Sequence, residues 1–340
     1  MGLFSLFSQE IAIDLGTANT LIIHEDKIVV DEPSIVAFDQ KTGKLIAIGN
    51  KARQMHGKTH GNISTIRPLR DGVIADFKAT EMMIRGMIKM TKFKSLFAQS
   101  LRMVICIPSG STNVEIRAVR DSAEQAGGRD VYLIYEPMAA ALGIGLDVEL
   151  PEGHMVVDIG GGTSEIAVIS LGGVVCNESI NIAGDVFTED IQTYMRQQYN
   201  IKIGDRTAED IKIAVGSAVT ELENPPEDFT VIGHSIIDAR PKEVSVSYQE
   251  IAFALDRSLA KIDTAIMKVL ERTPPELYND IFRKGIFLAG GGALIKGLAQ
   301  RLTEKTEIKF IVAEDPLRAV ARGTGIALKN IDRFSFLIRE

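Results

Sequence analysis

Residues 155–170 read MVVDIGGGTSEIAVIS, an apolar run that ends in Asp158 and three glycines before a second apolar run begins. A similar stretch, IAIDLGTANTLIIHED, occupies residues 11–26 and places Asp14 directly before a turn that contains glycine and threonine. Apolar runs rich in β-branched residues and separated by turn residues predict a strand–turn–strand unit. Because the two stretches lie about one domain length apart, we expect a duplicated domain, with one such unit opening each copy.

Helical patterns alternate with these strands, which predicts an α/β fold. Residues 109–128, SGSTNVEIRAVRDSAEQAGG, begin with capping residues and end on two glycines, as a helix does. Residues 133–146, LIYEPMAAALGIGL, predict a strand and then a helix of small residues with Pro137 near its start. Residues 318–328, RAVARGTGIAL, predict a second helix of this kind. Small side chains let two helices cross closely, so we expect this pair at a hinge between the two copies.

Composition excludes several classes of protein. The 340 residues carry 38 Lys and Arg against 45 Asp and Glu, a net charge of −7, so nucleic acid is not expected as a partner. The chain is 45% apolar and 24% charged, and no uncharged stretch is long enough to span a membrane. Both cysteines, Cys106 and Cys176, lie in apolar runs, which indicates free thiols in an intracellular protein.

The turns after Asp14 and Asp158 are candidate phosphate cradles. Glycine permits positive φ and lets successive backbone N–H groups surround one anion. Mg²⁺ is usually held by one or two carboxylates and by water, so the two aspartates are candidate ligands of a cation that bridges phosphates. Thr17, Asn19 and Thr163 would offer polar groups to terminal phosphate oxygens. Each turn alone is also compatible with a simple tight hairpin, but the matched pair favours the phosphate site.

Two further segments carry weaker signals for the same ligand. In GIFLAGGGALIKGL, residues 285–298, a strand runs into three glycines, and we expect a helix to follow whose N-terminus favours an anion. In TAEDIKIAVG, residues 207–216, the capping-box spacing of the first and fourth residues predicts a helix start that places Glu209 and Lys212 on one face. That pair is equally compatible with a solvated ion pair.

Glu136 immediately precedes Pro137, at the end of a predicted strand and the start of the first small-residue helix. A carboxylate at that point could orient or deprotonate a water molecule for in-line attack on a terminal phosphate. It is also compatible with an acidic residue that simply neutralises the dipole of the helix N-terminus.

Several segments, taken in order, resemble the motifs of a known superfamily. IAIDLGTANT, LIYEPMAAALG, VVDIGGGTSE, DRTAEDIK with AGGGALIKGL, and ARGTGIAL are similar to the phosphate-1, connect-1, phosphate-2, adenosine and connect-2 motifs of the actin/Hsp70/sugar-kinase ATPases. DLGTANT, RPLRDGVIADF, VVDIGGGTSE, GDRTAEDIK and TPPEL together resemble the MreB family of bacterial actins. The resemblance covers nearly the whole chain. Ala289 departs from it, because relatives often carry threonine before the three glycines, and a phosphate role at that position is not expected.

The resemblance implies an actin-like α/β fold with two RNase-H-like domains and inserted subdomains around a central nucleotide cleft. Domain I would comprise residues 1–145 and 318–340 with an insertion at 33–66, and domain II residues 146–317 with an insertion at 180–245. It also implies ATP and Mg²⁺ as cofactors, with Asp14 and Asp158 as metal ligands and Glu136 and Asp158 as catalytic residues. The implied nucleotide contacts are Gly16, Thr17, Ala18, Asn19, Gly160, Gly161, Gly162, Thr163, Glu209, Lys212, Gly290, Gly291 and Gly292.

The implied function is that of an ATPase that forms homopolymeric filaments in the cytoplasm, on the inner face of the cell membrane, and that acts with membrane-bound cell-shape and wall-synthesis proteins. Two alternatives share the phosphate turns. An Hsp70-type chaperone would need a substrate domain after the helix at 318–328, where about a dozen residues follow. A sugar- or acetate-type kinase would need polar groups that face the terminal phosphate, and no set of them is identifiable in the sequence.

Two segments are candidate membrane anchors. The N-terminal tip carries uncharged apolar side chains at Leu3, Phe4, Leu6 and Phe7, and a second apolar group has helical spacing at Phe93, Leu96 and Phe97. The second group lies in a zone, residues 82–114, that has no acidic residue and five basic ones. Apolar anchors among basic residues suit an anionic leaflet. The second group is also compatible with core residues beside a solvated basic face.

Overall fold

A computed structural model describes residues 9–91 and 101–339. Its strands are β1 (Gln9–Leu15), β2 (Asn19–His24), β3 (Lys27–Pro33), β4 (Val36–Asp39), β5 (Leu45–Ile48), β6 (Ile63–Ile66), β7 (Leu69–Arg70), β8 (Val73–Ile74), β9 (Leu101–Ile107), β10 (Gly128–Tyr135), β11 (His154–Ile159), β12 (Ser164–Ser170), β13 (Gly173–Ile180), β14 (Ile201–Lys202), β15 (Phe229–Ser235), β16 (Pro241–Val246), β17 (Ile286–Ala289) and β18 (Phe310–Val312). Its helices are α1 (Asn50–Met55), α2 (Phe77–Met90), α3 (Asn113–Gln125), α4 (Glu136–Ile144), α5 (Gly184–Tyr199), α6 (Asp205–Val215), α7 (Tyr248–Arg272), α8 (Pro275–Lys284), α9 (Leu298–Thr306) and α10 (Ala319–Lys329).

Two five-stranded sheets repeat one plan, as the duplicated sequence predicts. The first has the order β10-β9-β1-β2-β3 and the second the order β18-β17-β11-β12-β13. In each sheet the central strand pairs antiparallel with the next strand along the chain and parallel with a strand that arrives later. Asp14 on β1 and Asp158 on β11 therefore occupy equivalent places, at the ends of the two central strands.

Helices α4 and α10 lie between the two sheets, in an apolar layer formed by residues of both. Their backbones cross closely at two glycines. A Cβ atom added to Gly143 would lie 1.8 Å from the carbonyl oxygen of Ala319, and one added to Gly323 would lie 1.7 Å from that of Ala139. The close crossing predicted from the small residues of these helices is thus confirmed, and it leaves no space for a methyl group.

Two small sheets accompany the large ones. The order β5-β4-β6 lies within the stretch 33–66, and the order β14-β15-β16 runs from residue 201 to residue 246, one residue beyond the predicted insertion. Residues 221–228 form a loop, as their prolines predict. Within the described ranges 9–91 and 101–339, none of the helices has the length and apolar character needed to span a bilayer.

Two helix starts were predicted wrongly. Helix α6 begins at Asp205, and the carbonyl of Gly204 accepts the first helical hydrogen bond, from the Ala208 amide, so Thr207 lies inside the helix instead of capping it. The three glycines after β17 lead into a 3₁₀ turn, Gly291–Leu294, and α9 begins only at Leu298. A single short turn has no substantial helix dipole, so the anion-binding argument made for that helix fails.

Candidate active site

The first turn, between β1 and β2, is stabilised by hydrogen bonds from residues elsewhere in the chain. Ser34 donates its hydroxyl hydrogen to the carbonyl of Gly16 at 2.6 Å, and its amide donates to the carbonyl of Ala18 at 2.9 Å. The hydroxyl of Thr17 is buried and accepts a hydrogen bond from the amide of Gly72 at 3.0 Å. Because that hydroxyl acts as an acceptor there, its own hydrogen is free to be donated to a ligand. Asn19, beside it, is exposed.

The second turn, between β11 and β12, is fixed in the same way. The amide of Gly160 donates to the carbonyl of Thr163 at 2.9 Å, and the carbonyls of Gly160 and Gly161 accept from the first two amides of α5. The two turns touch each other. A Cβ atom on Gly161 would lie 2.7 Å from the Cβ of Ala18, and one on Gly162 would lie 2.7 Å from the hydroxyl of Thr17. The glycines are therefore needed for the close approach of the two turns.

The structure brings Asp14, Glu136 and Asp158 into one electrostatic cluster. Burial raises the pKa of Asp158 to about 8, and the carboxylates of Asp14 and Glu165 add to the effect. Burial raises the pKa of Asp14 to about 6, although the Cys106 thiol donates to its Oδ1 at 3.2 Å and opposes the rise. The pKa of Glu136 is raised well above its usual range by burial and then by Glu165, Asp158 and Asp14. Acidic groups are thus gathered where little water can stabilise their charged forms, so each one disfavours ionisation of the others.

A divalent cation fits this cluster. Oδ1 of Asp158 is buried and has no hydrogen-bond partner, so it offers an unused lone pair. Positive charge between Asp14 and Asp158 would offset the repulsion that raises their pKa values. Across residues 9–91 and 101–339, no three His, Cys, Asp or Glu side chains gather closely enough to hold a metal by themselves. Two carboxylates are compatible with Mg²⁺, which keeps several waters or phosphate oxygens beside one or two carboxylates.

Glu165 is a member of the cluster that the sequence analysis missed. It lies on β12 opposite Asp158, is fully buried, and accepts hydrogen bonds from the amide and hydroxyl of Ser109 and from the hydroxyl of Ser179. Ser109 follows β9 in the first sheet, so these bonds join the two halves of the molecule. The sequence offered one signal for Glu165, because this acidic residue directly precedes the apolar residues IAVI at 166–169. A charged group buried at such a position requires polar partners.

Glu209 and Lys212 form the predicted ion pair on α6, at 2.7 Å. The ammonium group also donates to the carbonyl of Gly184 at 2.8 Å, and Thr188 donates to Glu209 at 3.0 Å. Since the amide of Gly184 bonds to Gly160, these contacts connect the pair to the second turn. The pair is thus part of a network that supports the turn, not an isolated surface pair.

The third glycine segment, Gly290–Gly292, packs against the end of β11. Gly290 has a positive φ of 77°, and a Cβ atom added there would lie 2.6 Å from Oδ1 of Asp158. A Cβ atom on Gly292 would lie 2.2 Å from the side chain of Ile159. The segment therefore belongs to the same site, although its backbone is not the helix N-terminus that was predicted.

The candidate membrane anchors Leu3, Phe4, Leu6, Phe7, Phe93, Leu96 and Phe97 all lie outside the described residues. In the described part of the basic zone, both arginines form ion pairs within the protein. Arg85 pairs with Glu81 at 2.6 Å and Arg102 with Glu10 at 3.0 Å. These two positive charges are thus partly neutralised within the protein, and we expect the remaining lysines of the zone to contribute most of any attraction to an anionic surface.

Two sheets of one strand order, each with an acidic turn that meets the other, and two glycine-bearing helices crossing between them, define an actin-like fold. The particular family follows from sequence: the family model "MreB/Mbl protein" matches residues 8–335, and the chain belongs to that family of bacterial actins.

Individual relatives agree over almost their whole length. The chain is 47% identical to the cell shape-determining protein Mbl of Bacillus subtilis over 329 residues, which is 96% of this chain and 98% of that protein. It is 48% identical to the cell shape-determining protein MreB of Escherichia coli over 332 residues, with 96% and 95% covered. The crystal structure of MreB5 of Spiroplasma citri bound to AMPPNP superimposes with a TM-score of 0.90 at 39% identity, and covers 96% of this chain and 97% of its own.

Proposed function

We propose that this chain binds and hydrolyses ATP in the cleft between its two large sheets. The observation that carries the proposal is the contact of two glycine turns beside Asp14 and Asp158, two aspartates whose pKa values are raised. MreB5, at 39% identity, has been solved with AMPPNP and with ADP, which supports a nucleotide at this place. The proposed contacts are Gly16, Thr17, Ala18, Asn19, Gly160, Gly161, Gly162, Thr163, Glu209, Lys212, Gly290, Gly291 and Gly292.

We further propose that Asp14 and Asp158 hold Mg²⁺ and that Glu136 orients the attacking water. Bound Mg²⁺ would neutralise charge that develops on the phosphates. Burial raises the pKa of Glu136, which makes it a stronger base than an exposed carboxylate and so better suited to take a proton from water. Thr17 can donate to a phosphate oxygen while the amide of Gly72 fixes the position of its hydroxyl.

The molecule as a whole is proposed to assemble into filaments with copies of itself. The family, and the cell shape-determining relatives Mbl and MreB, support a cytoskeletal protein that organises cell shape. We also propose that its filaments lie on the inner face of the cell membrane, act with wall-synthesis proteins and maintain rod shape. A head-to-tail contact that does not close generates such a filament. The proposed hinge divides residues 1–145 and 318–340 from residues 146–317, with α4 and α10 crossing between them. Family membership does not favour the small-molecule kinase alternative.

One pair of assays tests this function. With γ-³²P-ATP and Mg²⁺, we expect labelled free phosphate and ATP-dependent pelleting of the protein. Transfer of the label to a small acceptor, without pelleting, would instead support the kinase. The variant Asp14→Asn with Asp158→Asn serves as the site control and should show neither phosphate release nor stabilisation by Mg²⁺ and ATP.

A further inference from the structure

Arg67 lies in the connection between β6 and β7 and contacts a residue 118 positions away. Its Nη2 donates to both carboxylate oxygens of Asp185, at 2.8 and 3.0 Å, and to the carbonyl of Thr17 at 3.3 Å. Asp185 is in the first turn of α5. A single guanidinium nitrogen thus joins the first phosphate turn to α5, the helix that follows β13 of the second sheet.

The contact continues to the second phosphate turn. The amide of Asp185 donates to the carbonyl of Gly161 at 2.8 Å. A chain of bonds therefore runs from Thr17 in the first turn, through Arg67 and Asp185, to Gly161 in the second. Gly72, five residues after Arg67, donates to the hydroxyl of Thr17, so one short segment holds both the carbonyl and the hydroxyl of that residue.

The two partners belong to different halves of the molecule. Leu69, beside Arg67, is buried in the core of the first sheet, and Phe187, beside Asp185, is buried in the core of the second. A second basic and acidic pair also joins the two halves. Nε2 of His56, at the end of α1, lies 3.6 Å from a carboxylate oxygen of Asp205, at the start of α6. That outer pair is more exposed than the Arg67–Asp185 pair, whose side chains are 35% and 36% exposed.

A surface ion pair of this exposure would ordinarily contribute little. Here, however, Nη2 of Arg67 also donates to the carbonyl of Thr17 in the first phosphate turn. The amide of Asp185 donates to the carbonyl of Gly161 in the second turn. Any movement that separates the two turns must break the pair. We propose that Arg67 and Asp185 form a latch that holds the phosphate turns together and slows the release of bound nucleotide. Both are positioning residues that act through the turns, and the inference rests on the proposed nucleotide binding.

Dissociation of a fluorescent nucleotide tests the latch without any need for hydrolysis. Purified protein is loaded with mant-ADP and Mg²⁺, below the concentration at which light scattering detects assembly, and is mixed rapidly with excess unlabelled ADP. We expect Arg67→Ala and Asp185→Ala each to release mant-ADP about two- to fivefold faster than the wild type. The double variant should be no faster than either single variant, because each change already breaks the same contact.

Arg272→Ala is the matched control. Its Nη2 donates to the carbonyl of Asn177 at 2.7 Å and to Glu178 at 2.9 Å, the same chemistry as in the latch but within the second half alone. Its release rate should equal that of the wild type. Added salt should speed release from the wild type towards the rate of the latch variants, because the pair is partly exposed to screening. Arg67→Gln carries the same test if an alanine variant does not fold.

The outcomes separate this inference from the proposed function. If the wild type does not bind mant-ADP, the nucleotide proposal fails and the latch with it. If it binds, but the latch variants release the nucleotide at the rate of Arg272→Ala, only the latch is overturned. Amide hydrogen exchange without nucleotide gives a second readout: exchange in residues 67–72 and 184–188 should be faster in Arg67→Ala than in Arg272→Ala, and equal exchange would also contradict the latch.

Discussion

At the scale of single residues, the candidate site is dominated by acidic groups whose pKa values burial raises, with repulsion between them adding to the effect. Asp158 is 5% exposed, and its pKa of about 8 means that folding without a cation requires it to take up a proton near neutral pH. Such an arrangement costs stability, and proteins accept that cost mainly where a ligand offsets it. The acidic cluster thus links the stability of the empty protein to the binding of a cation.

The first prediction concerns the pH dependence of that stability. The folded-state pKa of Asp158 lies above the unfolded value of about 4, so its contribution to stability is fully present below about pH 4 and is lost as the pH rises through about 8. In EDTA and without nucleotide, urea unfolding of the wild type should show this fall. Asp158→Asn should show a flatter profile and gain at least about 1 kcal/mol at pH 8.

The same variant should lose its response to the ligand. Mg²⁺ with ATP should stabilise the wild type and leave Asp158→Asn almost unchanged, since the amide oxygen is a neutral and weaker ligand. Parallel pH profiles for the two proteins would contradict the burial of charge at this position. An equal ligand response would remove Asp158 from the proposed metal site.

The second prediction separates binding from chemistry at Glu136. Glu136→Gln keeps the size of the side chain and removes its ability to accept a proton, while both phosphate turns stay intact. We expect the affinity for ATP to change little. Phosphate release should slow by at least about tenfold, which is a lower bound because loss of a general base usually slows a reaction by more than that. Equilibrium binding of mant-ATP and a phosphate-release assay measure the two quantities. Unchanged hydrolysis would exclude the water-orienting role.

The sequence predicted Asp14, Glu136 and Asp158 because each lies at the end of an apolar run, where a charged side chain is costly unless it has a function. It did not predict the partners of Glu165 or Arg67. Ser109 and Asp185 meet them only after the two halves fold together, and no local spacing connects residues 56 and 118 positions apart. Local signals therefore located the reactive groups, whereas the polar contacts that position them depend on long-range topology.

At the scale of secondary structure, elements with strong local patterns were predicted well. The capping residues predicted at the start of the helix within residues 109–128 are confirmed, and Thr112 and Glu115 form a capping box at the start of α3. The start of α6 was misplaced because Thr207 and Asp210 mimic that spacing two residues after the true beginning at Asp205. A helix was predicted directly after the glycines that follow β17, but close packing of Gly290 and Gly292 against β11 leads into a tighter turn, and α9 begins only at Leu298.

The third prediction belongs to the crossing of α4 and α10. Helix propensity alone would make Gly143→Ala stabilising by up to about 1 kcal/mol. The added methyl group would, however, meet the backbone of Ala319, and that backbone cannot yield as a side chain can. We therefore expect a net loss of about 1–3 kcal/mol in the free energy of unfolding, measured by urea denaturation.

Gly61→Ala is the control for this substitution. It lies where an added Cβ atom has open space around it, and its backbone needs no positive φ. Its stability should match or slightly exceed that of the wild type. If Gly143→Ala were as stable as Gly61→Ala, the two helices would not cross as closely as the structure shows.

At the scale of the whole molecule, duplication places equivalent strand ends opposite each other and leaves the cleft between them. The acidic cluster formed by Asp14, Glu136 and Asp158 lies at this cleft. The net charge of −7 opposes attraction to an anionic surface, so any membrane contact must be local. The basic zone and the two apolar groups of the sequence are the candidates for it.

The last prediction tests that contact by co-sedimentation with vesicles that contain anionic lipid. Deletion of residues 2–8, and Leu96→Ser with Phe97→Ser, each remove apolar side chains whose burial contributes roughly 1.5–3 kcal/mol apiece before ordering costs. The combined variant should therefore no longer sediment, and comparison of the two partial variants identifies the main anchor. Ile213→Ser is the control, because it removes an apolar side chain that is 68% exposed on α6, outside the basic zone, and should sediment as the wild type does. Full retention of the combined variant would show that neither segment anchors the protein.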